Sequence, residues 1–480
     1  MGESKTRRLR TRIGLGAAAV VAMLLGMPMP SIASTTSSPS LTIEVTAGPT
    51  DANFVDRSGP TISWSTVEDA TAYQIYRKRG TGPEQPLARV LAPLNDKKDV
   101  GLDFGATYSY RVEARNGATV LGTSPWVGYQ QAFLQPQRAT YEKCPDTAVV
   151  VTTSDAANSA IAAAAPGTAV RLADGDFDEP LNISNRHGTA DDPILICGSR
   201  NATVNVFPTG TVMAGKVGVL VEDSSFITLY GFTVRNAQKG VQVKSSGHVV
   251  VASLRVQHTA QGGIYVARDS ADTIVSGNYI SDTGNDSDIP VGNGPVWHQD
   301  GRYGEGIYIG NSRANDSCED AGCEPDRTTR TVVAWNVITD TTAESIEAKE
   351  DTTDGLIFNN QTTITPPVWS DVRASIQVKG DGYLVQKNTI ASALDGGLRF
   401  VQQNVYDKDG NRIEPPLVPH GRNNAVASNT FDMNGSAPIY AVVTGDYSNR
   451  VLCSNTRVQP SVPLVVSKPT TPRACEGPGS

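Results

Sequence analysis

The chain has 480 residues, a formal net charge of −8, and Lys and Arg scattered rather than clustered. An acidic chain with no basic stripe cannot displace counterions from a phosphate backbone, which excludes nucleic acid as a partner. No segment beyond the first thirty residues holds ~18 consecutive apolar residues, so no membrane-spanning helix is expected.

Residues 1–33 have the order of an export signal. Lys5, Arg7, Arg8, Arg10 and Arg12 open it, Ile13 to Met27 form its apolar core, and Ser31-Ile32-Ala33 supply a small-residue exit. The mature protein is expected to be secreted, extracellular, soluble and monomeric. Disulfides persist outside the cytoplasm. Six cysteines allow fifteen pairings. The expected ones are Cys144–Cys197, Cys318–Cys323 within one loop, and Cys453–Cys475 pinning a tail at 461–480. No Cys-x-x-Cys pair argues for zinc.

From 41 to 133 short strands alternate with turn signals. Thr61 to Trp64, Ala72 to Arg77 and Tyr108 to Ala114 alternate with period two, as half-buried strands do. Trp64 and the run Tyr108-Ser-Tyr110-Arg-Val112-Glu-Ala114 resemble a fibronectin type III module. That resemblance implies a seven-stranded sandwich with a spacer or accessory role. Next, Ser154 to Ala164 is Ala-rich, opens on Ser-Asp and stops at Pro166-Gly167. A short helix is predicted there, capping the open sheet edge at the start of the second domain.

Residues 140–460 carry a repeat. Gly218-Val-Leu-Val221, Gly240-Val-Gln-Val243, Gly263-Ile-Tyr-Val266, Gly306-Ile-Tyr-Ile309, Ser345-Ile-Glu-Ala348, Ser375-Ile-Gln-Val378 and Gly397-Leu-Arg-Phe400 follow one another at steps of 22, 23, 43, 39, 30 and 22 residues. A base period near 22 with insertions marks a solenoid whose rungs share one core. The fold class is therefore all-β, a right-handed parallel β-helix behind a small β-sandwich. Asn278, Asn336, Asn360, Asn388, Asn429 and Asn455 form a second column, read as an internal amide ladder at a turn.

Side chains alternate along a strand. The second and fourth residues of each segment are apolar and face inward, so the first, third and fifth are expected outward. Gly or Ser in the first column would leave a shallow trough. The third column runs Gln242, Tyr265, Tyr308, Glu347, Gln377 and Arg399, and the fifth adds Lys244, Lys349 and Lys379. Aromatic faces stack on sugar rings, while Lys, Arg and Gln bond to hydroxyls and carboxylates. An extended polysaccharide is the expected partner. Insertions at 284–303, 311–328, 363–372 and 404–421 are expected to wall this groove.

The densest group is Glu344-Ser-Ile-Glu347-Ala-Lys349-Glu350, with Lys379 and Arg399 on later rungs. It suits β-elimination on a uronate, which needs positive charge on the carboxylate and a base for the C5 proton. Lys349 is the expected base, its pKa depressed by Lys379 and Arg399 as cationic neighbours. Glu344, Glu347 and Glu305 are the candidate oxygen ligands for Ca2+. His298 and His420 fall in the flanking insertions as further acid–base candidates. The alternative is a non-catalytic extracellular carbohydrate-binding or adhesion protein using the same ladder.

The repeat region resembles the pectate-lyase-like superfamily. The spacing from Glu344 to Lys349 is similar to that in the alginate lyase and chondroitinase B family, where a calcium-binding Glu precedes a catalytic Lys by five residues. That likeness implies a polysaccharide lyase. The family then carries Leu-Arg-His-Gly one rung later. Here that stretch is Ile376-Gln-Val-Lys379-Gly380, without the arginine, and Thr342 stands where a second acidic ligand would be.

Overall fold

The computed structural model describes residues 41–46, 60–99, 102, 107–130, 144–207, 216–284, 303–312, 325–366, 368, 372–401, 405–406, 412–413, 420–434, 440–444, 449–467, 471–472 and 474–475. The export signal, the pair Cys318–Cys323, His298 and most of the four insertions lie outside them.

The repeat winds into a right-handed parallel β-helix. Each turn gives one strand to each of three long sheets, so neighbours in a sheet come from successive turns. The first sheet runs from Val149–Val151 to Arg450–Val451 and the second from Gly175–Phe177 to Thr456–Arg457. The third begins at Leu181–Ser184 and keeps its parallel pairing to Val465–Ser467. All seven aligned segments are consecutive strands of this third sheet. Val219 pairs with Val241, and the row continues through Ile264, Ile307, Ile346, Ile376 and Leu398. Insertions of very different length leave that register unchanged.

Register holds because one face is fully apolar. Val241 and Val243, Ile264 and Val266, and Ile307 and Ile309 are completely buried in a single core that also takes the inward residues of the other two sheets. Each such side chain contributes roughly 1.5–3 kcal/mol on burial. A one-residue slip would turn the whole set outward.

The first column does not face outward, contrary to the alternation expected from sequence. A Cβ on Gly306 would stand 2.5 Å from Ile338 Cγ2 and 2.6 Å from the Ser345 carbonyl oxygen. One on Gly263 would stand 2.7 Å from Ile280 Cγ2. Ser345 and Ser375 are fully buried, and Ser375 Oγ lies 3.1 Å from Ser345 Oγ and 2.9 Å from Thr362 Oγ1. The chain turns here from the second sheet into the third, and the residue fills the wedge between them. Small size is needed inside, and this column contributes no trough to the outer face.

The asparagine column is an internal ladder. From Asn336 onward each Oδ1 accepts from the backbone N–H and the side-chain Nδ2 of the preceding rung's asparagine, as Asn360 does from Asn336 at 3.0 and 2.9 Å, while Asn278 Oδ1 accepts from Leu254 N. Each Nδ2 also donates to a first-sheet carbonyl, as in Asn360 to Val333 at 2.9 Å. The left-handed residue is not the asparagine but the one before it: Gly277, Trp335, Asn359, Lys387 and Ser428 have φ of 66°, 55°, 52°, 57° and 57°.

The predicted helix spans Ser154–Ala162 and buries Ala157 and Ile161 in the main core, covering the start of the solenoid. Its cap is Thr153, one residue before the expected Ser154, with Oγ1 accepting from Ala156 N at 3.2 Å. Disulfides join Cys144 to Cys197 and Cys453 to Cys475. Ahead of the solenoid are two antiparallel sheets: Ile43–Thr46, Thr61–Trp64 and Asp96–Lys98, and a larger one centred on Ala72–Arg79 and Thr107–Asn116. Ile62 and Trp64 of the first share a core with Tyr73, Ile75, Tyr110 and Val112 of the second. Among the described residues no helix is long and apolar enough to cross a membrane.

Candidate functional site

The third column is a continuous row on the outer side of the third sheet. Gln242 pairs with Tyr265, then come Tyr308, Glu347, Gln377 and Arg399, one per turn. Adjacent strands are about 4.8 Å apart, so each side chain meets its neighbours. The rings of Tyr265 and Tyr308 stack with centroids 4.8 Å apart. Although the row points away from the core, its middle is not solvated: Tyr265 is 5% exposed and Glu347 2%.

Around Glu347 five charged side chains converge. Lys349 lies two residues on and so shares its face, placing Nζ 2.6 Å from Glu347 Oε2. Lys379 reaches from the next turn to within 2.8 Å of Oε1. Gln377 Nε2 donates to Glu347 Oε1 at 2.8 Å and to Glu344 Oε1 at 3.0 Å, tying the two carboxyls together. Glu305, on the preceding turn, accepts from Tyr265 OH at 3.2 Å. Glu305, Glu344 and Glu347 each offer an oxygen within 4.8 Å of the others, and all three are buried. The residues predicted to hold a cation are thus brought together. Glu350 is also buried, and among the described residues neither carboxyl oxygen has a hydrogen-bond partner, although Lys379 Nζ is 3.9 Å away.

Burial works against every charge here, and the neighbours decide the outcome. Glu347 is held down at about 2 despite burial, because Lys349 and Lys379 sit on it. Burial and the Glu347 charge push Glu344 up to about 8 and Glu305 to about 7, so neutral acid forms are populated near neutral pH. Burial pulls Lys349 down, but Glu347, then Tyr308, Glu305 and Glu350, outweigh it and hold the ammonium well above its ordinary range. This reverses the expected depression of Lys349. The pairing with Glu347 dominates, and Lys379 is itself occupied by the same carboxylate. Burial keeps the Tyr308 phenol protonated, and Lys349 Nζ stands 4.8 Å from the Tyr308 ring centroid.

Other predicted residues lie at the margins. Lys244 pairs with Glu222 at 2.7 Å and is not drawn into the cluster. Gln242 starts the row beside Tyr265 and is half-buried. Arg399 stands two turns beyond Glu347, about 10 Å along the sheet, and burial lowers its pKa against the pull of Glu344. His420 is buried. Sequence reasoning missed Lys239, whose Nζ lies 4.4 Å from the Tyr265 ring centroid. Its signal was faint, since it precedes Gly240 and so falls outside the aligned segment.

An alginate lyase from Paenibacillus sp. str. FPU-7 is similar to this chain over 66% of its length and 97% of that chain, with 22% identity and a TM-score of 0.54. A family 28 exopolygalacturonase from Yersinia enterocolitica matches 91% of this chain and 98% of its own at 12% identity and a TM-score of 0.32. A PL6 family polysaccharide lyase from Pseudopedobacter saltans matches 69% and 87% at 14% identity and a TM-score of 0.32. No family model matches the chain, and no curated protein does. The first of these likenesses establishes the fold that the chain shares, a parallel β-helix.

Proposed function

We propose that the protein is an exported lyase that cleaves a uronic-acid-containing polysaccharide by β-elimination. One observation carries this reading: Glu305, Glu344, Glu347, Lys349 and Lys379 gather at one buried point beside two stacked tyrosines. Buried charges stabilise a fold poorly compared with apolar packing, so a cluster this dense on a solenoid's outer face is a candidate for chemistry. The two disulfides are consistent with export, and the alginate lyase of shared fold accords with a polysaccharide substrate. The N-terminal sandwich takes the accessory role that its fibronectin type III-like sequence suggests.

Elimination needs the uronate carboxylate neutralised, a base at C5 and an acid for the leaving oxygen at C4. Gln377 and Lys379, both now bonded to Glu347, would exchange that partner for the substrate carboxylate. Tyr308, which burial keeps protonated and which lies between Tyr265 and Lys349, would give a proton to the leaving oxygen. Glu305, Glu344 and Glu347 fit Ca2+ in donor type, since hard cations take carboxylate oxygens. Two of the three are raised because burial leaves their charge uncompensated. These three carboxyls would hold the ion, which would supply positive charge to the substrate carboxylate. Lys349 would take the C5 proton only in its neutral form, so its own ammonium proton must first pass to solvent. A glycosidase fits less well, because its two carboxyls must face each other across the bond, whereas these converge and Glu347 already carries two ammoniums.

The Lys349–Glu347 pair also supports a second reading. With Lys349 locked as an ammonium, the same groove would hold a glycan without cutting it. The two readings separate in one assay with alginate, pectate and glycosaminoglycan panels plus Ca2+. The lyase produces the ultraviolet absorbance of an unsaturated uronate, Lys349→Ala removes it by at least 100-fold, and a chelator suppresses it. Retained glycan binding with no absorbance rise on any substrate would leave the holding reading.

A further inference from the structure

The stack that begins at Lys349 does not end at the tyrosines. Lys349 Nζ faces Tyr308, Tyr308 stacks on Tyr265, and Lys239 Nζ lies over the far ring at 4.4 Å. Most cations of the third sheet are already matched: Lys349 and Lys379 by Glu347, and Lys244 by Glu222. Lys239 and Arg399 have neither a hydrogen bond nor an ion pair among the described residues, and both are only half-buried. They flank the cluster. Lys239 stands three turns before the Glu347 strand and Arg399 two turns after it, roughly 24 Å apart along the sheet.

We infer that Lys239 is a carboxylate-binding subsite for the polymer, with Arg399 as its counterpart across the reaction centre, so that the groove grips a polyuronate on both sides of one bond. The inference rests on the proposed polysaccharide-lyase reading of the same groove. Two features argue for it. An ammonium costs free energy to desolvate unless something compensates it. Burial lowers the pKa of Lys239, and Glu305 only partly opposes this, while Arg268 and Lys244 add to it. An arriving carboxylate would supply the missing partner, and the place of Lys239, at the Tyr265 end of the row with Arg399 at the other, sets that partner on a chain running along the sheet. A neutral glycan gives Lys239 no such partner, which makes the position selective for charged chains.

The test is calorimetric titration of oligomannuronates and oligogalacturonates of two to six sugars, in a Lys349→Ala background that does not consume them. Lys239→Met should weaken binding of the longest oligomers at least tenfold and leave the disaccharides unchanged. Lys239→Arg, which keeps the charge, should restore most of the loss. Equal weakening at every length, or none at any length, would overturn the subsite. If the parent protein binds neither series, the polyuronate reading of the groove fails with it, whereas parent binding that Lys239→Met does not alter removes this inference alone. Matching thermal midpoints for Lys239→Met, Lys239→Arg and the parent show that the differences come from the groove.

Discussion

At the scale of single residues the site is defined by unequal treatment of three carboxyls. Glu347 is kept at about 2 by two lysines, while burial and Glu347 raise Glu344 to about 8 and Glu305 to about 7. Both raised acids start from an ordinary value of 4.5, so between about pH 5 and pH 8 the folded protein holds protons that the unfolded chain has released. Their contribution is complete at the acid end of that window and is lost as pH rises through it. Glu347 behaves in the opposite way, stabilising above 4.5 and losing its effect as pH falls towards 2. Glu344→Gln, which cannot ionise, should lose less stability than the parent between pH 5 and pH 8. At pH 8 it should be more stable by roughly 1 kcal/mol or more. Denaturant midpoints measured across that range in the absence of divalent ions check this, and parallel curves for the two proteins would contradict it. The error over Lys349 arose at this scale as well. Residues two apart on a strand share a face, so Glu347 was visible in the sequence as the nearest charge to Lys349. The Glu347 charge outweighs that of Lys379 and Arg399 on later rungs.

At the scale of elements, the architecture was legible because two columns recur with the same spacing. The apolar second and fourth positions fixed the register from Val219 to Leu398, and the structure keeps it through every insertion. Alternation misled at the first column because the strand had been extended one residue into a corner, where Gly306 and Ser345 face the second sheet. Lys239 was lost for the same reason, lying just outside that corner. The asparagine ladder could be read from type and spacing, but its backbone angles could not, since the left-handed strain falls on the preceding residue. The ladder makes a quantitative demand. Asn360→Ala would strip Asn336 N of its acceptor and remove one bond each from Asn336 Nδ2, the Val333 carbonyl and Asn388 Oδ1 in a buried corner. Unsatisfied buried groups cost about 1–3 kcal/mol each, so a loss of at least about 2 kcal/mol is expected. A thermal melt within a degree of the parent would show that water or neighbours replace those bonds.

At the scale of the whole molecule, the solenoid supplies a rigid ruler and closes its two ends. The helix Ser154–Ala162 covers the first turns, and Cys453–Cys475 ties the tail to the last. The strands that carry the site, from Lys239–Lys244 to Gly396–Phe400, lie in the middle of the third sheet, where turns on both sides buttress them. The N-terminal sandwich meets the solenoid through Lys98–Asp354 at 2.9 Å and Arg450–Asp99 at 3.9 Å. Asp99 is also the buried partner of Arg77 and Tyr110, so these contacts are anchored in the sandwich's own core. None of these contacts involves the ladder. On the proposed reading the ladder breaks a glycosidic bond by elimination. Mass spectrometry of a digested polyuronate separates this from hydrolysis. Elimination gives fragments whose new non-reducing end is one water lighter than hydrolysis would leave it. Fragments that all carry the full hydrolytic mass would contradict elimination.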